Sequence, residues 1–133
     1  MDSLISYDLG EKSLIAEIKM INNSSKDLPV APGFHPYFRA GDDFEVDGLN
    51  FGDFNLEDTY FLDASQVSFK AENFDVKITS ENFQKFAIWT DFLDNYRCVE
   101  PCYNGKSFVK DGNPYILKDG ETFLAQMKID IEG

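Results

Sequence analysis

A chain of 133 residues, 43% hydrophobic and 15% aromatic, has apolar material for one domain with its own core and little room for two. Its formal net charge of −12 repels nucleic acid and anionic membrane surfaces, which argues against both as ligands and is compatible with a neutral small molecule. A phosphorylated ligand would need a local cationic pocket, and the arginines are two, Arg39 and Arg97.

No stretch is long and apolar enough to span a bilayer. The opening MDSLISYDLGEKSL lacks a basic region followed by an apolar one, so the expected location is the cytoplasm. The hydrophobic pattern has period two. LISYDL at 4–9 pairs across a GEK turn with SLIAEIKMIN at 13–22, where Ala16, Ile18 and Met20 share a face. QVSFK at 66–70 and FDVKIT at 74–79 read as a hairpin around AEN. QKFAIWTD at 84–91 and YRCVE at 96–100 form another pair around FLDN. At the C-terminal end Phe123, Ala125, Met127, Ile129 and Ile131 alternate with polar residues in one long half-buried strand. GDD, DGLNFGD, KDGN and KDGE supply turns, and no segment has helical periodicity. The expected fold is all-β, an antiparallel β-sandwich of about ten short strands, forming a single domain over residues 1–133.

Two stretches break the alternation without being simple turns: DLPVAPGFHPYFRAG at 27–41 and CVEPCYNG at 98–105. Departures from local rules concentrate at functional sites. The first holds His35, the single histidine of the chain, between Phe34 and Pro36. Pro36 biases His35 toward extended backbone, and Gly33 permits a close backbone approach or an unusual dihedral. In the second, Glu100 closes an apolar strand ahead of Pro101, on the same face as Tyr96 and Cys98. An imidazole titrates near pH 6.5 in water and a glutamate carboxyl at about 4.3, so facing groups of these types form an acid–base pair near neutrality. On their own, a lone histidine is more often packed in a core or loop, and a lone glutamate at a strand end is more often solvated. Cys98 and Cys102 lie four apart, on one side of a strand and too far apart for a disulfide. Two cysteines at this spacing with one distant histidine do not make a metal set, so no metal is expected.

GFHPYF, then AIWTD, then an apolar strand ending in CVEP, a glycine-containing turn and a terminal strand after KDGE follow one another in order. This ordered set resembles the aldose 1-epimerase (galactose mutarotase) superfamily over nearly the whole chain. The HPYF and EP forms are closest to its hexose-phosphate epimerase-like and mutarotase-related branches, and VAPGF and SLIAEIKMINNSSKDLPV also fit. The resemblance implies a galactose mutarotase-like supersandwich, here truncated to the family's C-terminal portion. It implies interconversion of the α and β anomers of a hexose or hexose phosphate, with no metal and no organic cofactor. His35 would protonate the ring oxygen and Glu100 would take the proton from the anomeric hydroxyl. Asp58 would contact sugar hydroxyls, with Asp53 and Asp63 as alternatives, and Tyr37 and Trp89 would form pocket walls. The family's N-terminal portion supplies a second site histidine or equivalent and a substrate-binding arginine. A homo-oligomer or a complementing chain is therefore expected.

Two other readings stand beside this one. A non-catalytic carbohydrate-binding module on the same scaffold would rely on Tyr37, Tyr60, Trp89 and Tyr103. A structural or interaction fragment would have no sugar site.

Overall fold

The computed structural model describes residues 1–41, 43–51, 58–90 and 95–133. Among these, thirteen strands occur: β1 (Asp2–Leu9), β2 (Ser13–Ile21), β3 (Leu28–Val30), β4 (Tyr37–Arg39), β5 (Glu45–Val46), β6 (Leu49–Asn50), β7 (Tyr60–Asp63), β8 (Gln66–Lys70), β9 (Asp75–Glu81), β10 (Lys85–Trp89), β11 (Tyr96–Cys102), β12 (Tyr115–Leu117) and β13 (Thr122–Glu132). No helix is present among the described residues, and none is long and apolar enough to cross a membrane. Seven strands form one sheet in the order β1-β2-β13-β9-β8-β5-β6, four form a second in the order β4-β11-β10-β7, and β12 pairs with β3. Every pairing is antiparallel.

Alternation decides which face each sheet buries. Ala16, Ile18 and Met20 of β2 lie opposite Met127, Ala125 and Phe123 of β13, so both strands turn their apolar sets the same way. In the four-stranded sheet the rows through Phe86 and Ile88 join Leu62 and Tyr60 on one side to Pro101 and Val99 on the other. The two apolar faces meet in one cluster that holds Val67, Phe69, Val76, Ile78 and Met127 with Phe86, Ile88 and Val99. Each such side chain contributes about 1.5–3 kcal/mol on burial. A second cluster of Met20, Val30, Phe83, Leu117, Phe123 and Ala125 seats the β3–β12 pair on the other end of the large sheet. This is the expected antiparallel sandwich, with the outer face of the four-stranded sheet left for other use.

Two expectations change in detail. Glu100 does not close its strand. β11 continues through Pro101 to Cys102. Proline is tolerated there because its carbonyl and its missing N–H point to the same side, toward the Phe34 segment. Phe34 N–H donates to the Pro101 carbonyl at 3.0 Å, and no return bond is required. Of the two roles offered for Gly33, close approach is the one observed. Gly33 bridges Cys102, and a Cβ at Gly33 would come within 3.1 Å of the Pro101 carbonyl oxygen. That closeness holds the His35 segment against β11. At the opposite edge, β1 is exposed along its whole length, with Leu4, Tyr7 and Leu9 open to solvent.

Asn22 anchors the turn after β2. Its side chain is fully buried. Its amide donates to the carbonyls of Lys26 at 2.7 Å and Leu117 at 2.9 Å, and its oxygen accepts from Ser24 N–H at 3.0 Å and Ser24 Oγ at 2.7 Å. Asn22→Ala strands these groups, at about 1–3 kcal/mol for each one left buried and unpaired. Denaturant unfolding is expected to show a loss of about 2–4 kcal/mol. A loss under about 0.5 kcal/mol, the range of ordinary surface changes, would contradict this role.

Candidate active site

The outer face of the four-stranded sheet carries Tyr96, Cys98, Glu100 and Cys102 of β11, because successive side chains alternate. Register adds Trp89 opposite Cys98 and Ala87 opposite Glu100 on β10, and Tyr37 opposite Cys98 on β4. His35 lies between the Gly33–Cys102 bridge and the Tyr37–Cys98 pair, which sets it level with Glu100. Pro36 cannot donate to a ladder, so β4 begins only after it and the imidazole stays on a short unpaired segment.

His35 Nε2 lies 2.8 Å from Glu100 Oε1. The same carboxylate oxygen accepts from Trp89 Nε1 at 2.6 Å. The His35 side chain is 47% exposed and that of Glu100 14%. The pair therefore sits at a half-covered surface, the imidazole outward and the carboxylate recessed. Tyr37 lies beside the imidazole at a centroid distance of 4.7 Å, and the Trp89 ring stands perpendicular to it at 5.5 Å. Tyr96 stands edge-on to Tyr37 at 5.3 Å, extending the aromatic rim. Burial pushes the Glu100 carboxyl above its ordinary range, while the Trp89 N–H, the His35 charge and the Cys98 thiol act against that shift.

Trp89 does more than wall the site: its indole N–H holds the carboxylate in place. Trp89→Phe removes a bond to a charged group, worth about 1.5–3 kcal/mol. It also removes a contact that lowers the Glu100 pKa, so that pKa moves further up. Any activity that needs Glu100 ionised is expected to fall at least about tenfold, with the acid limb of its pH profile displaced to higher pH. An unchanged profile would mean the bond has no part in the chemistry.

The other sequence candidates lie apart from this pair. Asp58 is exposed just ahead of β7, at the far edge of the same sheet and two strand spacings, roughly 10 Å, from β11. Asp63 is ion-paired with Lys85 on the outer face. Asp53 falls outside the described residues. Tyr60 packs into the core and meets Phe51 at 5.3 Å. Tyr103 packs with Tyr115 and Phe123 in the second cluster. Of the four aromatics a binding module would use, only Tyr37 and Trp89 border the His35–Glu100 pair. Arg39 pairs with Glu72 at 2.9 Å and faces an acidic cavity lined also by Asp43, Lys70, Asp75 and Asp130, which includes neither His35 nor Glu100. Arg97 is buried and donates to the Tyr96 carbonyl.

Cys98, which alternation puts on the face of Glu100, is also a neighbour of His35. Its Sγ, His35 and Glu100 each place one ligand-type atom within 4.8 Å of the others. Counting cysteines and histidines along the chain does not bring these three together, whereas the i, i+2 parity of Cys98 and Glu100 already put two of them on one face.

Solved structures share this arrangement of strands. A galactose mutarotase related enzyme from Lactobacillus acidophilus superposes with a TM-score of 0.76 at 19% identity, covering 97% of this chain and 60% of that one. The chain has the galactose mutarotase-like fold. The Slr1438 protein of Synechocystis matches this chain with a TM-score of 0.79 at 18% identity, over 98% of this chain and 54% of that one. A putative aldose 1-epimerase from Escherichia coli K12 gives 0.75 at 14% identity, over 96% and 59%. The chain thus spans between half and two thirds of the length of these structures. No protein-family model and no curated protein matches its sequence.

Proposed function

We propose that this chain is an aldose 1-epimerase-like protein that interconverts the α and β anomers of a hexose by acid–base catalysis. One observation carries the reading: a histidine nitrogen and a glutamate oxygen 2.8 Å apart at a half-exposed, aromatic-rimmed face. The ring oxygen and the anomeric hydroxyl of an aldose are bonded to the same carbon. An adjacent donor and acceptor can therefore address both at once.

In this reading the sugar enters against Tyr37 and Trp89 and parts the His35–Glu100 contact. Protonated His35 gives its proton to the ring oxygen as the C1–O bond breaks. Glu100 takes the proton of the anomeric hydroxyl, leaving an open-chain aldehyde. After rotation about C1–C2 the sugar hydroxyl attacks the other face of C1. His35 then recovers its proton from that hydroxyl, and Glu100 returns its own to the aldehyde oxygen. Both residues end as they began. Asp58 is proposed to meet hydroxyls at the far end of the ring, across β10.

A neutral hexose fits better than a hexose phosphate. Arg39 is engaged by Glu72, Arg97 is buried, and Lys85 is engaged by Asp63. The net charge of −12 adds long-range repulsion of a dianion. Exchange NMR between anomeric protons, run across free aldohexoses and their 6-phosphates, tests the assignment. Enhanced exchange for a free hexose that saturates with sugar supports it. Enhancement confined to the phosphates would overturn the substrate class, and none for any sugar would overturn the activity.

A further inference from the structure

We infer that His35, Cys98 and Glu100 form a three-ligand site for a thiophilic divalent cation of the Zn²⁺ class, whose occupancy excludes proton transfer by the His35–Glu100 pair. The site stands on geometry alone, and its effect on turnover rests on the acid–base reading above.

Three donor types converge: an imidazole nitrogen, a thiol sulfur and a carboxylate oxygen, all within 4.8 Å of one another. A tetrahedral zinc centre has bonds of about 2.0–2.3 Å, which places its ligand atoms about 3.3–3.7 Å apart. The His35–Glu100 separation of 2.8 Å would open by about half an ångström, and the widest separation would close by about one. The parts that must move can do so. The imidazole is on a short segment outside the ladder and half exposed. Cys98 is fixed on β11 and buried, two residues from Glu100 on the same face, with its sulfur within 4.8 Å of that carboxylate. The half-exposed imidazole puts the site at the solvent boundary, so a water or a sugar oxygen would complete the tetrahedron.

Charge and softness choose the cation. Binding expels the thiol proton to water, so one thiolate and one carboxylate neutralise a divalent ion and the recessed site ends uncharged. Nitrogen and sulfur donors with a single carboxylate suit zinc and its neighbours, not magnesium or calcium, which want more oxygens. The overall charge of −12 draws cations toward the surface. Once bound, the metal occupies the imidazole lone pair and the carboxylate oxygen that the acid–base cycle needs.

Titration of the metal-free chain with Co²⁺ tests the site directly. One equivalent is expected to bind, with a near-ultraviolet thiolate-to-cobalt charge-transfer band and the visible bands of a tetrahedral ion, and Zn²⁺ should displace it. Cys98→Ser should abolish the charge-transfer band, while Cys102→Ser should keep it. His35→Ala, at a half-exposed position, should weaken Co²⁺ binding at least about tenfold, and it decides the matter if Cys98→Ser does not fold. No charge-transfer band in wild type, a band that survives Cys98→Ser, or unchanged affinity in His35→Ala would each overturn the inference. Anomer exchange measured with Zn²⁺ and again with chelator separates the two layers. A band with no exchange in chelator keeps the metal site and removes the acid–base reading, and exchange with no band does the reverse.

Discussion

Glu100→Gln and His35→Ala are each expected to lower anomer exchange by about 10²–10⁴-fold, the range that a positioned acid or base supplies. The two substitutions act through one pair, so the double variant should lose little more than either single one. Gln keeps the shape of Glu100 and can still accept from Trp89 N–H, which leaves the rim of the site in place. Sugar binding should therefore survive better than turnover, and the loss should appear in kcat more than in KM. The same variant should change stability in the opposite direction. Burial raises the Glu100 pKa in the folded chain, so the unfolded chain loses that proton first as pH rises. Stability contributed by the protonated carboxyl then falls between the ordinary value, about 4.3, and the raised one. Above that window the wild-type chain holds a recessed charge that Gln lacks, and Glu100→Gln should melt at a higher temperature near neutral pH. A variant that keeps its turnover would remove Glu100 from the chemistry. A lower melting temperature would mean that contacts with His35, Trp89 and Cys98 outweigh the burial.

Phe86→Ala is expected to destabilise the fold by about 3–5 kcal/mol. Phe86 is fully buried and lies between Leu62 and Pro101 on the core face of the four-stranded sheet, one residue from the Ala87–Glu100 row. Small domains have about 5–15 kcal/mol in total, so the change takes a large share of what holds the site together. The expected readout is a lower denaturant midpoint with little change in slope. Leu124→Ala, on the exposed face of β13, should stay within about 0.5 kcal/mol. Equal effects at the two positions would mean that the two sheets do not share the core described above.

The long strands were legible because a half-buried strand writes its own face into the sequence. The alternation from Phe123 to Ile131 marks the inner row of β13, and the Gly10–Ser13 turn follows from GEK. Strands of two or three residues, such as β3, β5, β6 and β12, are too short to show a period, and only the neighbours they pair with define them. Pro101 misled the reading of β11, since a proline normally argues against a continuing strand, and the register with the Gly33 segment overrides that rule. The fold family came from the order of HPYF, AIWTD, CVEP and KDGE, and the solved mutarotase-like structures agree with it. The ordered motifs put His35 and Glu100 at one sugar, but their direct contact has no periodic pattern in the chain to announce it. It depends on a glycine small enough to let one segment lie against another. Tyr60 and Tyr103 fit sugar platforms in the sequence because aromatic side chains serve cores and ligands equally well, and burial alone separates the two uses.

The central claim is that the His35–Glu100 pair moves protons on a sugar. Its most direct test is the polarimetric decay of freshly dissolved α-glucose and α-galactose, with the purified wild-type chain in chelator beside His35→Ala. Decay faster than buffer is expected with the wild-type chain for at least one of the two sugars, with a return to the buffer rate for His35→Ala. Decay at the buffer rate for both sugars with the wild-type chain, or equal acceleration by the variant, would contradict that claim.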